Sequence, residues 1–201
     1  MVKMKKLSSL FFVFIAIFAY FPILDFHVYA AKEPPAEGGP LPVMKLPIPE
    51  KPEEKNYLGL KGEGTFTIPQ IKARVVIIEI FSMYCPYCQK EAPTVNELYN
   101  AIENYPDLKS KIKIIGIGAG NTPMEVDVFR KKYQIAFPLF PDVDYSIHKV
   151  CGEVRTPYFI GVKINENGSN EVIYSRLGSI QDANQFLELI IKLSGLKKEG
   201  P

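Results

Sequence analysis

The feature that most constrains the fold is Val75 to Phe81, a run of seven residues of which six are apolar and either β-branched or aromatic. A continuous apolar run of this length is typical of a central parallel strand covered on both faces. Its one charged residue is Glu79, and a buried charge is costly unless the group is neutral or paired. The sequence therefore predicts an α/β domain built around this strand.

Strand and helix patterns alternate along the rest of the domain and predict a central mixed sheet flanked by helices. The motif Thr-Pro-Met-Glu at residues 122–125 predicts a helix start, with a cap, a proline in the first turn and a capping-box acid. The predicted elements after the first strand are a helix to about Asn104 with Pro93 inside it, a strand Ile112–Ile117, a helix to about Tyr133, a short helix Asp144–Cys151, a hairpin of Tyr158–Ile164 and Glu171–Leu177, and a helix from a Ser179 cap to near Gly195.

The first 30 residues have the pattern of a secretory signal. Three lysines within the first six residues precede the apolar run Leu10–Phe21, and small residues follow, so cleavage is predicted after Ala30. The alternative is an uncleaved membrane anchor, because Leu7–Leu24 is just long enough to span a bilayer. Both interpretations place the rest of the chain outside the cytoplasm, in the periplasm or an equivalent compartment, where disulfides persist.

Residues 31–56 are rich in proline and are predicted to be an extended linker, which leaves a domain at residues 57–198. The formal net charge is +2, and the first 30 residues account for it, so the remainder is near neutral. A near-neutral domain argues against nucleic acid as a partner. Three cysteines are too few for a disulfide-scaffold protein.

The chemistry concentrates at Cys85-Pro86-Tyr87-Cys88. Cys85 is placed where a strand ends and a helix begins, and the helix N-terminus favours its thiolate. Cys88 is three residues later on the same helix face, so the two sulfurs can form a bond. Such a bridge closes a very small loop and would stabilise the fold little. In a βαβ context the motif therefore predicts a redox-active disulfide.

These motifs resemble the thioredoxin-like superfamily, and in particular the extracytoplasmic thiol–disulfide oxidoreductases of the TlpA, ResA and DsbE type. The resemblance covers residues 57–195 and depends on four stretches: 76–81, 84–88, 91–93 and 155–160. It implies a thioredoxin-like fold in which Cys85 is the attacking cysteine and Cys88 the resolving one. The sequence departs from the family at Tyr84, where the relatives usually carry tryptophan.

The resemblance also implies roles for four further residues. Thr156 and Pro157 match the loop that faces the dithiol and binds substrate, which implies a cis peptide bond between them. Glu79 matches an acid that helps to deprotonate the buried cysteine, and Glu91 matches an acid that TlpA-type proteins carry. The alternatives are an exposed strand position for Glu79 and a solvated helix position for Glu91.

The resemblance implies no dissociable cofactor, since the dithiol is the redox group. It implies protein thiols or disulfides as substrates, and a membrane or periplasmic electron donor or acceptor. The Pro-Tyr dipeptide leaves open whether the protein reduces or oxidises them.

Two alternative functions stay open. His148 and Cys151 form a His-x-x-Cys pair, and with the dithiol they would offer four ligands for zinc or copper, as in a copper metallochaperone. The cysteine spacing differs from that of thioredoxin-like copper chaperones, so no metal is expected. The two residues would otherwise be a surface histidine and a buried thiol. The second alternative is a redox-inactive binding module on the same fold.

Overall fold

The computed structural model describes residues 33–197. Its centre is a five-stranded sheet in the order β5-β4-β3-β6-β7, in which β3, β4 and β5 are parallel and β6 and β7 are antiparallel to their neighbours. This arrangement confirms the predicted mixed sheet. The five strands are β3 (Val75–Phe81), β4 (Ile112–Ala119), β5 (Leu139–Asp142), β6 (Tyr158–Ile164) and β7 (Asn170–Leu177). Two short strands precede them, β1 (Leu46–Pro47) and β2 (Thr65–Phe66).

Helices cover the sheet on both faces. The long helices α2, α4 and α6 pack on the face that carries Ile77 and Phe81, and α1 and α5 lie with the cluster on the face that carries Ile78 and Ile80. Because β3 is central, all seven of its residues are buried, which explains its continuous apolar sequence. The helices are α1 (Pro52–Leu58), α2 (Pro86–Glu103), α3 (Pro106–Lys111), α4 (Pro123–Tyr133), α5 (Ser146–Val150) and α6 (Ala183–Ser194).

The last helix begins later than predicted. Its cap is Asp182, whose side chain accepts a hydrogen bond from the backbone N–H of Gln185 at 2.8 Å, and not Ser179. Ser179 belongs instead to the segment that contacts α2, since the backbone N–H of the next residue, Ile180, donates to the Glu91 carboxylate on that helix. The sequence patterns also missed α3 and β5. Strand β5 is only four residues long and contains Pro141, a residue depleted in strands, so it carries little strand signal.

The prediction that residues 31–56 form an extended linker is wrong for residues 33–56, the part of this segment that the structure describes. Leu41, Met44 and Leu46 are buried in the cluster on the α5 face of the sheet, and β1 pairs antiparallel with β2. The prolines do not prevent this, because Pro52 occupies the first helical position of α1, where no backbone N–H is needed. The domain therefore begins well before residue 57, and α1 lies across that boundary.

The predicted signal or anchor at residues 1–30 lies outside the described residues. Within residues 33–197, none of the helices is both long and apolar enough to cross a bilayer.

The packing of the N-terminal segment predicts that truncation of two adjacent side chains changes the free energy of unfolding by different amounts. Met44 is 2% exposed, whereas Val43 is 72% exposed. Met44→Ala should lower the free energy of unfolding by about 2–5 kcal/mol, because it leaves a cavity in the core. Val43→Ala, the matched control, should change it by less than about 0.5 kcal/mol. Urea denaturation measures both, and equal small effects would show that the segment is not part of the core.

Candidate active site

The two cysteines lie where β3 leads into α2, the position predicted from the sequence. Cys85 caps the N-terminus of α2 and is partly exposed, and Pro86 follows at the first helical position. Cys88 lies in the first turn of α2 and is fully buried on the face of the sheet that α2, α4 and α6 cover. Both residues are thiols in this structure. The site thus presents one accessible sulfur and one covered sulfur from a single helical turn.

The surroundings of Cys85 favour its thiolate. Burial alone would raise the pKa of this thiol, but hydrogen bonds from the Thr156 side chain and from the backbone N–H groups of Cys88 and Tyr87 outweigh burial and lower it. Amide N–H groups at a helix N-terminus stabilise an anion in this way. When protonated, the Cys85 thiol donates to the carbonyl oxygen of Thr156 at 3.3 Å, a contact that fixes the place of the sulfur without favouring its thiolate. Cys85 is therefore suited to act as a nucleophile.

Cys88 has the opposite environment. Burial raises the pKa of its thiol, hydrogen bonds from the Ser82 backbone and the Thr156 side chain oppose the rise, and the nearby Glu79 carboxylate adds to it. The net direction is upward, so Cys88 stays protonated under conditions in which Cys85 ionises. A step in which Cys88 reacts therefore needs a group that accepts its proton.

Glu79 is buried beneath the dithiol. It lies on β3, and the alternation along the strand places it on the same face as Ile77 and Phe81, towards α2. It is 2% exposed, so the alternative of an exposed strand position is wrong. Its Oε1 has no hydrogen-bond partner among the described residues. Burial, followed by the charges of Glu91 and Cys85, raises the pKa of Glu79 to about 8, so it can hold or release a proton near neutral pH.

Glu91 is also buried, at 3% exposure, so the alternative of a solvated helix position is wrong. Its Oε1 accepts a hydrogen bond of 2.7 Å from the backbone N–H of Ile180, which joins α2 to the segment before α6. Burial raises the pKa of this carboxyl, while hydrogen bonds from Ser179 and Ile180 oppose the rise. Glu91 thus differs from Glu79, because one of its oxygens has a partner.

The loop before β6 faces the dithiol. The Thr156–Pro157 peptide bond is cis, as the family resemblance implied, and Pro157 is buried. Strand β6 begins at Tyr158, which pairs with Ile80 near the end of β3. This pairing places the Thr156 carbonyl against Cys85 Sγ.

The structure does not bring His148 and Cys151 to the dithiol. Cys151 is buried in the cluster on the α5 face of the sheet, whereas Cys88 is buried on the other face. The Nε2 of His148 lies 2.7 Å from the carbonyl oxygen of Val154, so the backbone occupies it. Across residues 33–197, no group of three or more His, Cys, Asp or Glu side chains could hold a metal ion. This geometry does not favour the metallochaperone alternative.

Two contacts of the site escaped the sequence patterns. Tyr84, at the position usual for tryptophan, is exposed and donates its phenol to the Glu125 carboxylate at the start of α4. This hydrogen bond raises the pKa of the phenol and lowers the pKa of the carboxyl. Asn121, which follows β4, is fully buried and bonds to the loop before Cys85. The capping box identified Glu125 as a helix-start residue, but no local pattern links Glu125 or Asn121 to the loop that carries Cys85.

Comparisons of the sequence identify its family. Residues 41–170 match the model described as the AhpC/TSA family. The thiol–disulfide oxidoreductase ResA of Halalkalibacterium halodurans is 25% identical over 131 residues, which cover 65% of this chain and 70% of that protein. ResA of Bacillus thuringiensis subsp. konkukian is 31% identical over 107 residues, covering 52% of this chain and 58% of that protein. The chain thus spans between about half and three quarters of the length of these relatives.

Solved structures share the fold. A putative thiol:disulfide interchange protein DsbE from Chlorobium tepidum matches with a TM-score of 0.59 at 15% identity, over 80% of this chain and 99% of that chain. StoA from Bacillus subtilis matches with a TM-score of 0.52 at 21% identity, over 74% and 96%. These likenesses confirm the thioredoxin-like fold. The chain therefore belongs to the AhpC/TSA family, and its relatives in sequence are thiol–disulfide oxidoreductases of the ResA type.

Proposed function

We propose that this protein is a thiol–disulfide oxidoreductase that exchanges disulfides with protein substrates through Cys85 and Cys88. The observation that carries the proposal is the inequality of the two sulfurs. Cys85 is partly exposed with a lowered pKa, and Cys88 is fully buried with a raised pKa beside Glu79. A structural disulfide would need no such difference, whereas disulfide exchange uses one nucleophilic thiolate and one resolving thiol. The names of the ResA relatives support the same activity.

The first step is attack by the Cys85 thiolate on a substrate disulfide. A bond forms between Cys85 Sγ and one substrate sulfur, the substrate S–S bond breaks, and the second substrate sulfur leaves as a thiolate. The backbone of Thr156, beside Cys85 Sγ, would pair with an extended substrate segment, in the manner of an added β-strand. Pro157 would form the wall of this substrate site.

The second step releases the substrate. Cys88 gives up its proton and attacks Cys85 Sγ, the bond between Cys85 and the substrate breaks, and the substrate leaves as a second thiolate. The substrate has gained two electrons, and the protein now holds the Cys85–Cys88 disulfide. We assign the role of proton acceptor to Glu79, because a base with a pKa of about 8 is suited to work near neutral pH. Glu91, whose charge contributes to the raised pKa of Glu79, would assist.

The reverse sequence of steps oxidises a dithiol substrate, so the direction depends on the partner that renews the dithiol or disulfide. We place this exchange outside the cytoplasm, on the basis of the signal-like sequence at residues 1–30. The partner would then be a membrane or periplasmic electron donor or acceptor.

Turnover of a protein disulfide tests the proposal directly. With dithiothreitol as reductant, the protein should accelerate the reduction of insulin, and Cys85→Ser should abolish this activity. Reduced Cys88→Ser, freed of dithiothreitol before insulin is added, should accumulate a covalent mixed disulfide with the substrate, because the resolving thiol is missing. Cys151→Ser is the matched control and should keep full activity, since Cys151 lies on the other face of the sheet. If Cys85→Ser reduced insulin at the wild-type rate, Cys85 would be excluded as the nucleophile.

Glu79→Gln should slow the second step specifically. Without the carboxylate, Cys88 loses the assigned acceptor of its proton, so release of the substrate from Cys85 should slow by at least about tenfold. In the wild type this release should speed up as pH rises through about 8, where Glu79 ionises, and the variant should lose that rise. Stopped-flow decay of the mixed disulfide measures it. Glu97→Gln, an exposed position on α2, is the control, and equal rates in both variants would refute the assigned base.

Glu79 should also make stability depend on pH. Its pKa rises from an ordinary 4.5 to about 8 on folding, so the folded state takes up a proton between these values. Wild-type stability should therefore fall, relative to Glu79→Gln, as pH rises from about 5 to 8, by up to about 1.4 kcal/mol per pH unit. The difference should level off above pH 8. Urea denaturation of the two reduced proteins at pH 5, 6.5 and 8 measures it, and a constant difference would contradict the burial of a neutral Glu79.

A further inference from the structure

A fully buried amide lies beside the loop that carries Cys85. Asn121 lies two residues after the end of β4 and is 0% exposed. Its backbone is fixed in a tight turn, in which its N–H donates to the Gly118 carbonyl at 3.0 Å and Gly120 has a φ of +66°. Gly118 leaves room for the side chain, since a Cβ there would lie 3.1 Å from Asn121 Oδ1. A buried polar side chain in this position is retained only if its atoms have hydrogen-bond partners.

Both ends of the Asn121 amide bond to the loop between β3 and α2. Its Oδ1 accepts the backbone N–H of Met83 at 2.8 Å, and its Nδ2 donates to Ser82 Oγ at 3.5 Å. The orientation of the amide is unambiguous, because the backbone N–H of Met83 can only donate. Asn121 therefore joins the end of β4 to residues that immediately precede the reactive sulfur.

The two residues that Asn121 contacts determine where Cys85 lies. The Ser82 carbonyl accepts the N–H of Cys85 at 3.0 Å, and the Met83 carbonyl accepts Gln89 Nε2 at 2.8 Å. Cys85 Sγ in turn lies 3.3 Å from the Thr156 carbonyl. A shift of the loop would move this sulfur away from both Thr156 and the N-terminus of α2.

We propose that Asn121 is a positioning residue for the reaction, which holds Cys85 against the Thr156 loop and the first turn of α2. It touches neither substrate nor sulfur and acts through Met83 and Ser82. The inference depends on the proposed role of Cys85 as the attacking thiol. It goes beyond that role, because it identifies what fixes the nucleophile in place.

Two measurements on the reduced protein test it without any substrate. The first is the pH profile of iodoacetamide alkylation at Cys85, followed by mass spectrometry. Asn121→Ala should move its midpoint upward by at least about half a pH unit, and so lower the rate at pH 6 about threefold. The reason is that the sulfur leaves the backbone N–H groups at the start of α2 and the Thr156 side chain, which favour its thiolate. The second is amide hydrogen exchange at Met83, which should accelerate at least about tenfold once its acceptor is gone.

Two further variants separate positioning from general destabilisation. Asn96→Ala removes a comparable side-chain bond, from Asn96 Nδ2 to the Tyr133 carbonyl at 2.8 Å, between α2 and the end of α4. It should leave both readouts unchanged. Asn121→Asp keeps an oxygen acceptor for Met83 and should restore the protection of that amide. If Asn121→Ala does not fold, Gly118→Ala replaces it, because the added methyl crowds Asn121 and should shift both readouts in the same direction.

The outcomes are distinct. An unchanged alkylation midpoint in the folded variant, an equal shift in Asn96→Ala, or rapid Met83 exchange in Asn121→Asp would each overturn the role of Asn121. Failure of the proposed function looks different, since wild-type Cys85 would then not be alkylated ahead of Cys88 and Cys151.

Discussion

The site depends on β3 being covered on both faces. A central strand places its carboxyl end, and the helix that follows it, at the edge of the sheet where the neighbouring parallel strand β4 also ends. Cys85 is therefore held by the start of α2, by the loop after β4 and by the loop before β6, three segments that are far apart in sequence. The same burial surrounds Glu79, and it is the largest cause of that residue's raised pKa. One structural constraint thus supplies both the place of the nucleophile and the chemistry of the acid below it.

Two cysteines on one helical turn differ in reactivity because their surroundings differ. Cys85 lies at the rim, where amide N–H groups and the Thr156 side chain bond to its sulfur, and Cys88 lies on the buried side of the same turn, where apolar side chains replace water. A thiolate gains from the first environment and loses in the second. The order of the two proposed exchange steps follows from this difference, since the thiol of Cys85 ionises more readily and Cys88 would need a proton acceptor.

The sequence predicted the parts of this protein whose signals are local. The apolar run at 75–81, the capping box at Thr122 and the Cys-x-x-Cys motif each occupy a few adjacent residues, and each matches the structure. The N-terminal segment was mispredicted because its prolines dominate the composition, while the residues that fix it, such as Leu41 and Met44, are apolar side chains spaced between them. Two hydrogen bonds of the site could not be predicted from local patterns. The bond from Met83 to Asn121 joins residues 38 positions apart, and the bond from Ile180 to Glu91 joins residues 89 positions apart.

Within residues 33–197, the two buried carboxyls differ in their surroundings, since Glu91 accepts a hydrogen bond and Glu79 Oε1 has no partner. Glu91 accepts the Ile180 N–H, and a carboxylate is stabilised by such a donor, so the partner favours its charged form. Glu79 Oε1 has no partner among the described residues, and a charge on Glu91 further disfavours a charge on Glu79. The proton of this pair is therefore held mainly on Glu79, the carboxyl whose charge also bears on Cys88. In the proposed mechanism, loss of this proton near pH 8 would make Glu79 available as the base for Cys88 once the mixed disulfide has formed.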